Sequence, residues 1–154
     1  MPMTKAIFFD RDDTLIIDKK YMSDPAEITY FKYTMPLLKK LLDEGYLLFI
    51  VTNQSGIGRG YFTLDDMNRI HTKMSVDFLK ENIKITDIAY CPHHPAQDCK
   101  CRKPQPKMIE DLCFKYDIDK SKSYMVGDKE SDIEAGNNAG VSGIHINEFL
   151  EKFL

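Results

Sequence analysis

Two aspartates, Asp10 and Asp12, are well placed to do chemistry because they directly follow a short apolar run. If the chain is extended there, both carboxylates point the same way and Arg11 points away. Two adjacent carboxylates repel each other unless a cation or a shared proton lies between them. Charged oxygen ligands suit Mg²⁺, which usually binds one or two carboxylates together with water and phosphate. The pair therefore indicates a magnesium site; the alternative is that both residues only cap a turn.

Three other segments carry groups that are suited to phosphate. Asp128 offers a third carboxylate, Lys103 a point charge and Thr52 a hydroxyl. The lysine and the hydroxyl can hold phosphoryl oxygens. A carboxylate nucleophile, a carboxylate acid/base, a lysine and Mg²⁺ suffice for phosphoryl transfer through an aspartyl-phosphate. Four separate segments with such groups favour this chemistry over a simple turn cap.

A second set of residues has the spacing of a metal site. Three cysteines and a histidine lie within eleven residues: Cys91, His93, Cys99 and Cys101. This set suits tetrahedral zinc, and because four protein ligands leave no open position we expect a structural ion. The alternatives are ordinary reduced cysteines, or His94 as the imidazole ligand. Because the loop is rich in proline, zinc would supply its order and fix Arg102 and Lys103, which follow it.

The elements that position these residues alternate along the chain. Apolar runs predict strands over 6–9, 46–51, 87–90, 123–126 and 141–146. Helical spacing of apolar residues predicts helices over 34–44, 63–82, 107–116, 130–138 and 149–154, with a Gly-rich loop over 54–61. Such alternation predicts an α/β fold, a Rossmann-like parallel sheet with helices on both faces. Ligands of such sheets bind at the carboxyl ends of the strands, which is where the four segments meet.

Length and composition limit the class of protein. A chain of 154 residues with 43% apolar and 29% charged residues is ordinary for one soluble domain, which we expect to span 1–154 with its zinc loop at 91–101. The formal net charge of −3 argues against nucleic acid as a partner. We find no signal peptide pattern and no apolar run that could span a membrane, so we expect a cytoplasmic protein without a membrane partner. We also expect a monomer.

Four motifs, in this order, resemble those of the haloacid-dehalogenase-type phosphatases. They are FDRDDTL at 9–15, VTNQSG at 51–56, CRKP at 101–104 and GDKESD at 127–132. More narrowly, residues 52–63 and 91–95 are similar to the bacterial heptose 1,7-bisphosphate phosphatases. The related histidinol-phosphatases share the zinc loop and most of the catalytic motifs. The resemblance also favours His93 over His94 as the zinc ligand.

The resemblance implies a role for each motif residue. Asp10 would attack phosphorus, and Asp12 would protonate the leaving sugar oxygen and then activate water. Thr52 and Lys103 would hold the transferring phosphoryl group. The Mg²⁺ ligands would be Asp10, the Asp12 carbonyl and Asp128. Substrate contacts would fall on Arg11, Asp18, Lys19, Lys20, Tyr21, Asn53, Gln54, Ser55, Arg102 and Lys129.

One residue departs from this family's pattern. The position after the acid/base aspartate is usually glycine, and here it is Asp13. Aspartate adopts some of the backbone conformations of glycine less easily, and it adds a carboxylate beside the metal site. We expect activity to survive the change. Two other polar or reactive residues, His71 and Cys113, lie in predicted helices, and we expect both to be structural.

The sequence leads to one expected function and three alternatives. We expect a capless, Mg²⁺-dependent, zinc-containing phosphatase that removes the 7-phosphate of a heptose 1,7-bisphosphate for surface polysaccharide synthesis. The intervals between Asp12, Thr52 and Lys103 are too short for a cap domain, so the site should be open. The alternatives are histidinol-phosphate hydrolysis, a polynucleotide 3′-phosphatase that the acidic charge disfavours, and a silent zinc- or phosphate-binding module.

Overall fold

Five parallel strands form the centre of the fold in the computed structural model, which describes residues 3–154. The strands are β1 (Ala6–Phe9), β2 (Leu47–Asn53), β3 (Asp87–Cys91), β4 (Tyr124–Gly127) and β5 (Ser142–His145). Their spatial order is β3-β2-β1-β4-β5, and every neighbouring pair is parallel. In the central strand, Phe9 pairs with Ile50 on one side and with Val126 on the other. The predicted parallel α/β sheet is confirmed.

Helices cover both faces of the sheet, as predicted. They are α1 (Thr34–Asp43), α2 (Ser55–Gly58), α3 (Leu64–Lys80), α4 (Lys107–Tyr116), α5 (Glu130–Ala139) and α6 (Ile146–Phe153). Successive side chains of a strand point to opposite faces, so Phe9 packs with α1, α3 and α6 while Phe8 packs with α4 and α5. Cys113 is buried in the apolar core on the side of the sheet where Phe8 packs with α4 and α5. This confirms the expectation that Cys113 is structural.

Most element boundaries differ from the prediction by one or two residues, and the largest differences are near the C-terminus and in the loop after β2. The last strand ends at His145 and α6 begins at Ile146, so the predicted strand over 141–146 was too long and the helix over 149–154 too short. The reason is a cap, because the His145 side chain accepts a hydrogen bond from the Asn147 amide at 3.1 Å. The predicted loop over 54–61 contains the single turn α2.

The carboxyl edge of the sheet is the place where the predicted site residues converge. Asp10 follows β1, Thr52 and Asn53 close β2, and Asp128 follows β4. Among residues 3–154, the segment between β1 and β2 holds one short 3₁₀ turn and α1, which leaves this edge without a covering cap. No helix in the same described range combines the length and apolar character needed to cross a bilayer.

Candidate active site

A buried lysine links two of the carboxylates at this edge. The Lys103 ammonium donates hydrogen bonds to Asp10 Oδ1 at 2.9 Å, to Asp132 Oδ1 at 2.6 Å and to the Val51 carbonyl at 2.8 Å. Burial raises the pKa of Asp10 to about 7, an effect that Lys103 opposes and Asp132 adds to. Burial alone would lower the pKa of Lys103, but the two carboxylates raise it, so the ammonium stays charged.

Three carboxylates meet in a geometry that fits a divalent cation. Oxygens of Asp10, Asp128 and Asp132 lie within 4.8 Å of one another. Asp128 Oδ1 is buried without a hydrogen-bond partner, which is costly unless an ion or water satisfies it. Three negative charges against the one positive charge of Lys103 leave a formal net charge of −2 when all groups are ionised. This donor set therefore fits Mg²⁺.

Asp132 has a second role in this cluster. Its Oδ2 accepts a hydrogen bond from the Lys129 amide at 3.1 Å, which caps the start of α5. The carboxylate thus holds both Lys103 and the segment that carries Asp128.

The Asp12 carboxylate is held apart from the three-carboxylate cluster. It accepts hydrogen bonds from Arg11 Nε at 3.2 Å, from Arg11 Nη2 at 3.1 Å and from Gln54 Nε2 at 3.1 Å. The same Gln54 amide donates to Thr52 Oγ1 at 2.8 Å. The Asp12 side chain remains 21% exposed toward the cleft, so it can reach a bound molecule while its orientation is fixed.

A cleft of about 690 Å³ opens beside these groups. All ten predicted substrate residues except Lys19 line it. Sequence reasoning missed Arg59, which also lines the cleft. The available signal was its position in a Gly-rich segment directly after β2. At the cleft mouth, the Tyr21 and Tyr61 rings lie 4.6 Å apart edge to face, and the Arg59 guanidinium lies 5.9 Å from the Tyr21 ring.

Three of the residues expected to contact substrate are engaged with protein groups. Arg11 is 2% exposed and binds Asp12 and Gln54. The Asn53 amide clamps the Lys103 backbone, since Asn53 Oδ1 accepts from its N–H at 3.0 Å and Asn53 Nδ2 donates to its carbonyl at 3.3 Å. These contacts indicate that Arg11, Asn53 and Gln54 orient Asp12, Thr52 and Lys103.

The residue that departs from the family's pattern, Asp13, lies in the left-handed region with φ of 60°. This explains the usual glycine, because most other residues are strained there, and aspartate tolerates it better than most. The Asp13 side chain also gains a contact that glycine cannot make: its Oδ1 accepts a hydrogen bond from the Asp18 amide at 2.9 Å. Asp13 thereby tethers the loop that carries Asp18, Lys20 and Tyr21.

We expect Asp13→Ala to be less stable than Asp13→Gly by about 1–2 kcal/mol, the cost of a left-handed conformation for a residue with a Cβ. Both variants lose the tether to Asp18, so their difference isolates the backbone effect. Equilibrium urea unfolding of the two proteins measures it. Equal unfolding midpoints and slopes would contradict the backbone explanation.

The cysteine cluster predicted for zinc assembles in the structure. The Cys91 sulfur lies 3.0 Å from Cys101 Sγ, 3.7 Å from Cys99 Sγ and 3.3 Å from His93 Nδ1. The four ligand atoms all lie within 4.8 Å of one another, and three sulfurs with one imidazole form a donor set that fits tetrahedral zinc. His94 is turned elsewhere, since its Nδ1 accepts from the Ala96 amide at 2.9 Å.

The cysteine loop is bonded to the segment that carries α2. The Cys91 carbonyl accepts from the Gln54 amide at 2.7 Å, and the Pro92 carbonyl accepts from the Gly58 amide at 2.8 Å. A Cβ at Gly58 would lie 2.3 Å from the His94 nitrogen, so only glycine permits this approach. The loop therefore packs directly against one wall of the cleft.

Comparison with known proteins places the chain in a family. The family model described as polynucleotide kinase 3 phosphatase matches residues 5–142. The D-glycero-β-D-manno-heptose-1,7-bisphosphate 7-phosphatase of Helicobacter pylori is 41% identical over 92% of this chain and 82% of the relative. The α-anomer 7-phosphatase of Campylobacter jejuni is also 41% identical, over 90% of this chain and 79% of the relative.

Solved structures give the same result. The D,D-heptose 1,7-bisphosphate phosphatase of B. bronchiseptica, complexed with magnesium and phosphate, superposes with a TM-score of 0.85 at 32% identity, covering 90% of this chain and 78% of that chain.

A further sequence relative, the histidine biosynthesis bifunctional protein HisB of Buchnera aphidicola, is 39% identical over 97% of this chain, which spans only 43% of that protein. The chain therefore belongs to the haloacid-dehalogenase-like phosphatases, in the family of the heptose 1,7-bisphosphate 7-phosphatases.

Proposed function

We propose that the protein removes the 7-phosphate of D-glycero-D-manno-heptose 1,7-bisphosphate, with Mg²⁺ as cofactor, during synthesis of surface polysaccharide precursors. The observation that carries the proposal is the buried Asp10–Lys103 pair, whose lysine lines an open cleft. Cations from three segments, Lys20, Arg102 and Lys129, line the same cleft. A substrate with phosphates at both ends of a small sugar matches that arrangement, and the similar relatives named above support the choice.

The proposed reaction has two steps, and the chain's own residues carry both. An Asp10 oxygen attacks phosphorus, the bond from phosphorus to the sugar oxygen breaks, and Asp12 gives that oxygen a proton. Water then attacks the aspartyl-phosphate, Asp12 takes its proton, and Asp10 leaves as a carboxylate. Lys103 and Thr52 hold the phosphoryl oxygens throughout. Asp10, Asp128 and the Asp12 carbonyl would hold Mg²⁺, which would neutralise charge on the phosphoryl group.

The cysteine cluster has a structural role in this proposal. Cys91, His93, Cys99 and Cys101 would hold zinc through four protein ligands, which leaves no position for substrate. Reduced cysteines of this kind suit a cytoplasmic protein. We propose that the protein acts as a monomer. Membrane and nucleic-acid partners have no role in the proposal.

A comparison of substrates tests the proposed function. Phosphate release is measured from both heptose 1,7-bisphosphate anomers, histidinol phosphate and a 3′-phosphorylated oligonucleotide, each with Mg²⁺ and with EDTA. We expect a kcat/KM at least about tenfold higher for one heptose anomer than for the other two substrate classes, since Lys20, Arg102 and Lys129 offer a second phosphate a partner. EDTA should abolish release. Preference for histidinol phosphate or the oligonucleotide would overturn the substrate assignment, and no release at all would favour a silent module.

A further inference from the structure

A buried histidine on α3 lies behind the Asp12 carboxylate. His71 Nε2 is 3.1 Å from Arg11 Nη1, and the two residues are only 7% and 2% exposed. A guanidinium can only donate hydrogen bonds, so Nε2 must be the accepting nitrogen and the imidazole proton must lie on Nδ1. Burial, followed by the charge of Arg11, lowers the pKa of His71 to about 3. The imidazole is therefore neutral and able to accept at any pH near neutrality.

The contact with His71 completes the set of partners around Arg11. Its Nε binds Asp12, its Nη2 binds both Asp12 and Gln54, and its Nη1 binds His71. Without the imidazole, Nη1 would be an unpaired donor on a buried charged group, which is costly. The guanidinium could then recover a partner only by rotating, and rotation would break its paired hydrogen bonds to Asp12.

We propose that His71 is a positioning residue for Asp12, acting through the Arg11 guanidinium to hold the carboxylate at the angle required for proton transfer. This inference rests on the proposed role of Asp12 as acid/base. His71 lies 60 residues after Arg11, on the 17-residue helix α3. In this proposal α3 contributes to catalysis although none of its residues lines the cleft.

The sequence separation of 60 positions between Arg11 and His71 is bridged only in the folded protein.

A purely structural role for His71 makes a different prediction from a positioning role. The same helix is anchored by Ile70, Met74 and Phe78, which are fully buried in the apolar core. If His71 only fills space beside them, its loss lowers stability and affects all substrates equally. If it positions Asp12, its loss affects most the substrates whose leaving group needs a proton.

The experiment compares two substrates that differ in this need. The leaving group of a sugar phosphate is a basic alkoxide, which needs a proton. The leaving group of 4-nitrophenyl phosphate is a stable phenolate, which needs none. The ratio kcat/KM reports the steps up to phosphoryl transfer and excludes hydrolysis of the intermediate, which is common to both substrates. We expect His71→Leu, which lacks the acceptor, to lower kcat/KM for heptose bisphosphate by about tenfold or more, and for 4-nitrophenyl phosphate by less than about threefold.

Conservative and control variants complete the test. His71→Gln places an amide oxygen near the position of Nε2 and should keep both activities within about threefold of the parent. Met74→Ala, in the same helix, should lower stability without changing the ratio of the two activities. If His71→Leu folds poorly, His71→Met provides a second apolar side chain without a strong acceptor.

Asp12→Asn separates failure of this inference from failure of the proposed reaction. If Asp12→Asn lowers both activities equally, Asp12 is not the proton donor and the proposed reaction is wrong. If Asp12→Asn selectively lowers activity on the sugar substrate and both apolar His71 variants do not, the positioning role of His71 is overturned. Selective loss in the Asp12 and apolar His71 variants, with recovery in His71→Gln, is the supporting result.

Discussion

Asp10→Asn is expected to lower turnover of heptose bisphosphate by at least about 10³-fold, because the amide cannot act as the nucleophile. The replacement is nearly isosteric, and the amide oxygen can still accept the hydrogen bond that Lys103 donates to Asp10 at 2.9 Å. The loss should therefore arise from chemistry and leave the fold intact. Steady-state phosphate release measures turnover, and thermal melting checks that the variant is folded.

The covalent step has its own readout. Acid-quenched parent enzyme should retain labelled phosphate that hydroxylamine releases, as expected for an acyl phosphate, and Asp10→Asn should retain none. Ser131→Ala, at a residue that lines the cleft without a proposed catalytic role, is a matched control and should retain the label. Near-normal activity in Asp10→Asn would refute the covalent mechanism.

Loss of zinc is expected to have the second large effect, a fall in kcat/KM of about 10²-fold, the cost of misplacing a catalytic group by about 1 Å. Lys103 follows Cys101 by two residues, so disorder in the cysteine loop would displace the ammonium from Asp10. Cys99→Ser removes one ligand and allows Mg²⁺ to be supplied normally. Metal content, melting temperature and kcat/KM are measured on the same preparation.

The fourth cysteine provides the control for this experiment. Cys113 lies on α4, is buried in the same apolar cluster as Ile109 and Leu112, and lies outside the metal cluster. Cys113→Ala should keep a full equivalent of zinc and near-parent kinetics, with a modest loss of stability. A zinc-free Cys99→Ser protein with unchanged melting temperature and kinetics would overturn the structural role of the ion.

The sheet and the polar residues at its carboxyl edge could be predicted from the sequence for one physical reason. Strands that are buried on both faces appear in the sequence as runs of apolar residues. Because parallel strands all end at the same edge of the sheet, the polar residues that follow those runs meet at that edge. Asp10, Thr52 and Asp128 were found in this way. Lys103 follows a loop instead of a strand, and its role was supported by the resemblance to known phosphatases.

The contact of Arg11 with His71, behind the Asp12 carboxylate, could not be predicted from the sequence in the same way. Strand periodicity predicts on which side Arg11 emerges, but not that its guanidinium is buried against a helix 60 positions later in the chain. Such a contact depends on the packing of α3 against the sheet. His71 was therefore expected to be structural only, because a lone histidine in a helix carries no sequence signal for its partner.

The position of β1 at the centre of the sheet has a consequence for synthesis of the protein on the ribosome. The Asp10 amide donates to the Val126 carbonyl at 2.9 Å, and the Ala6 amide donates to Ser123 Oγ at 2.9 Å. Asp10 thus directly follows β1, the first of the five strands in chain order, yet its backbone is held by β4, the fourth. A nascent chain in which β4 has not yet emerged from the ribosome lacks this support, so the proposed catalytic centre is completed only after β4 has been translated.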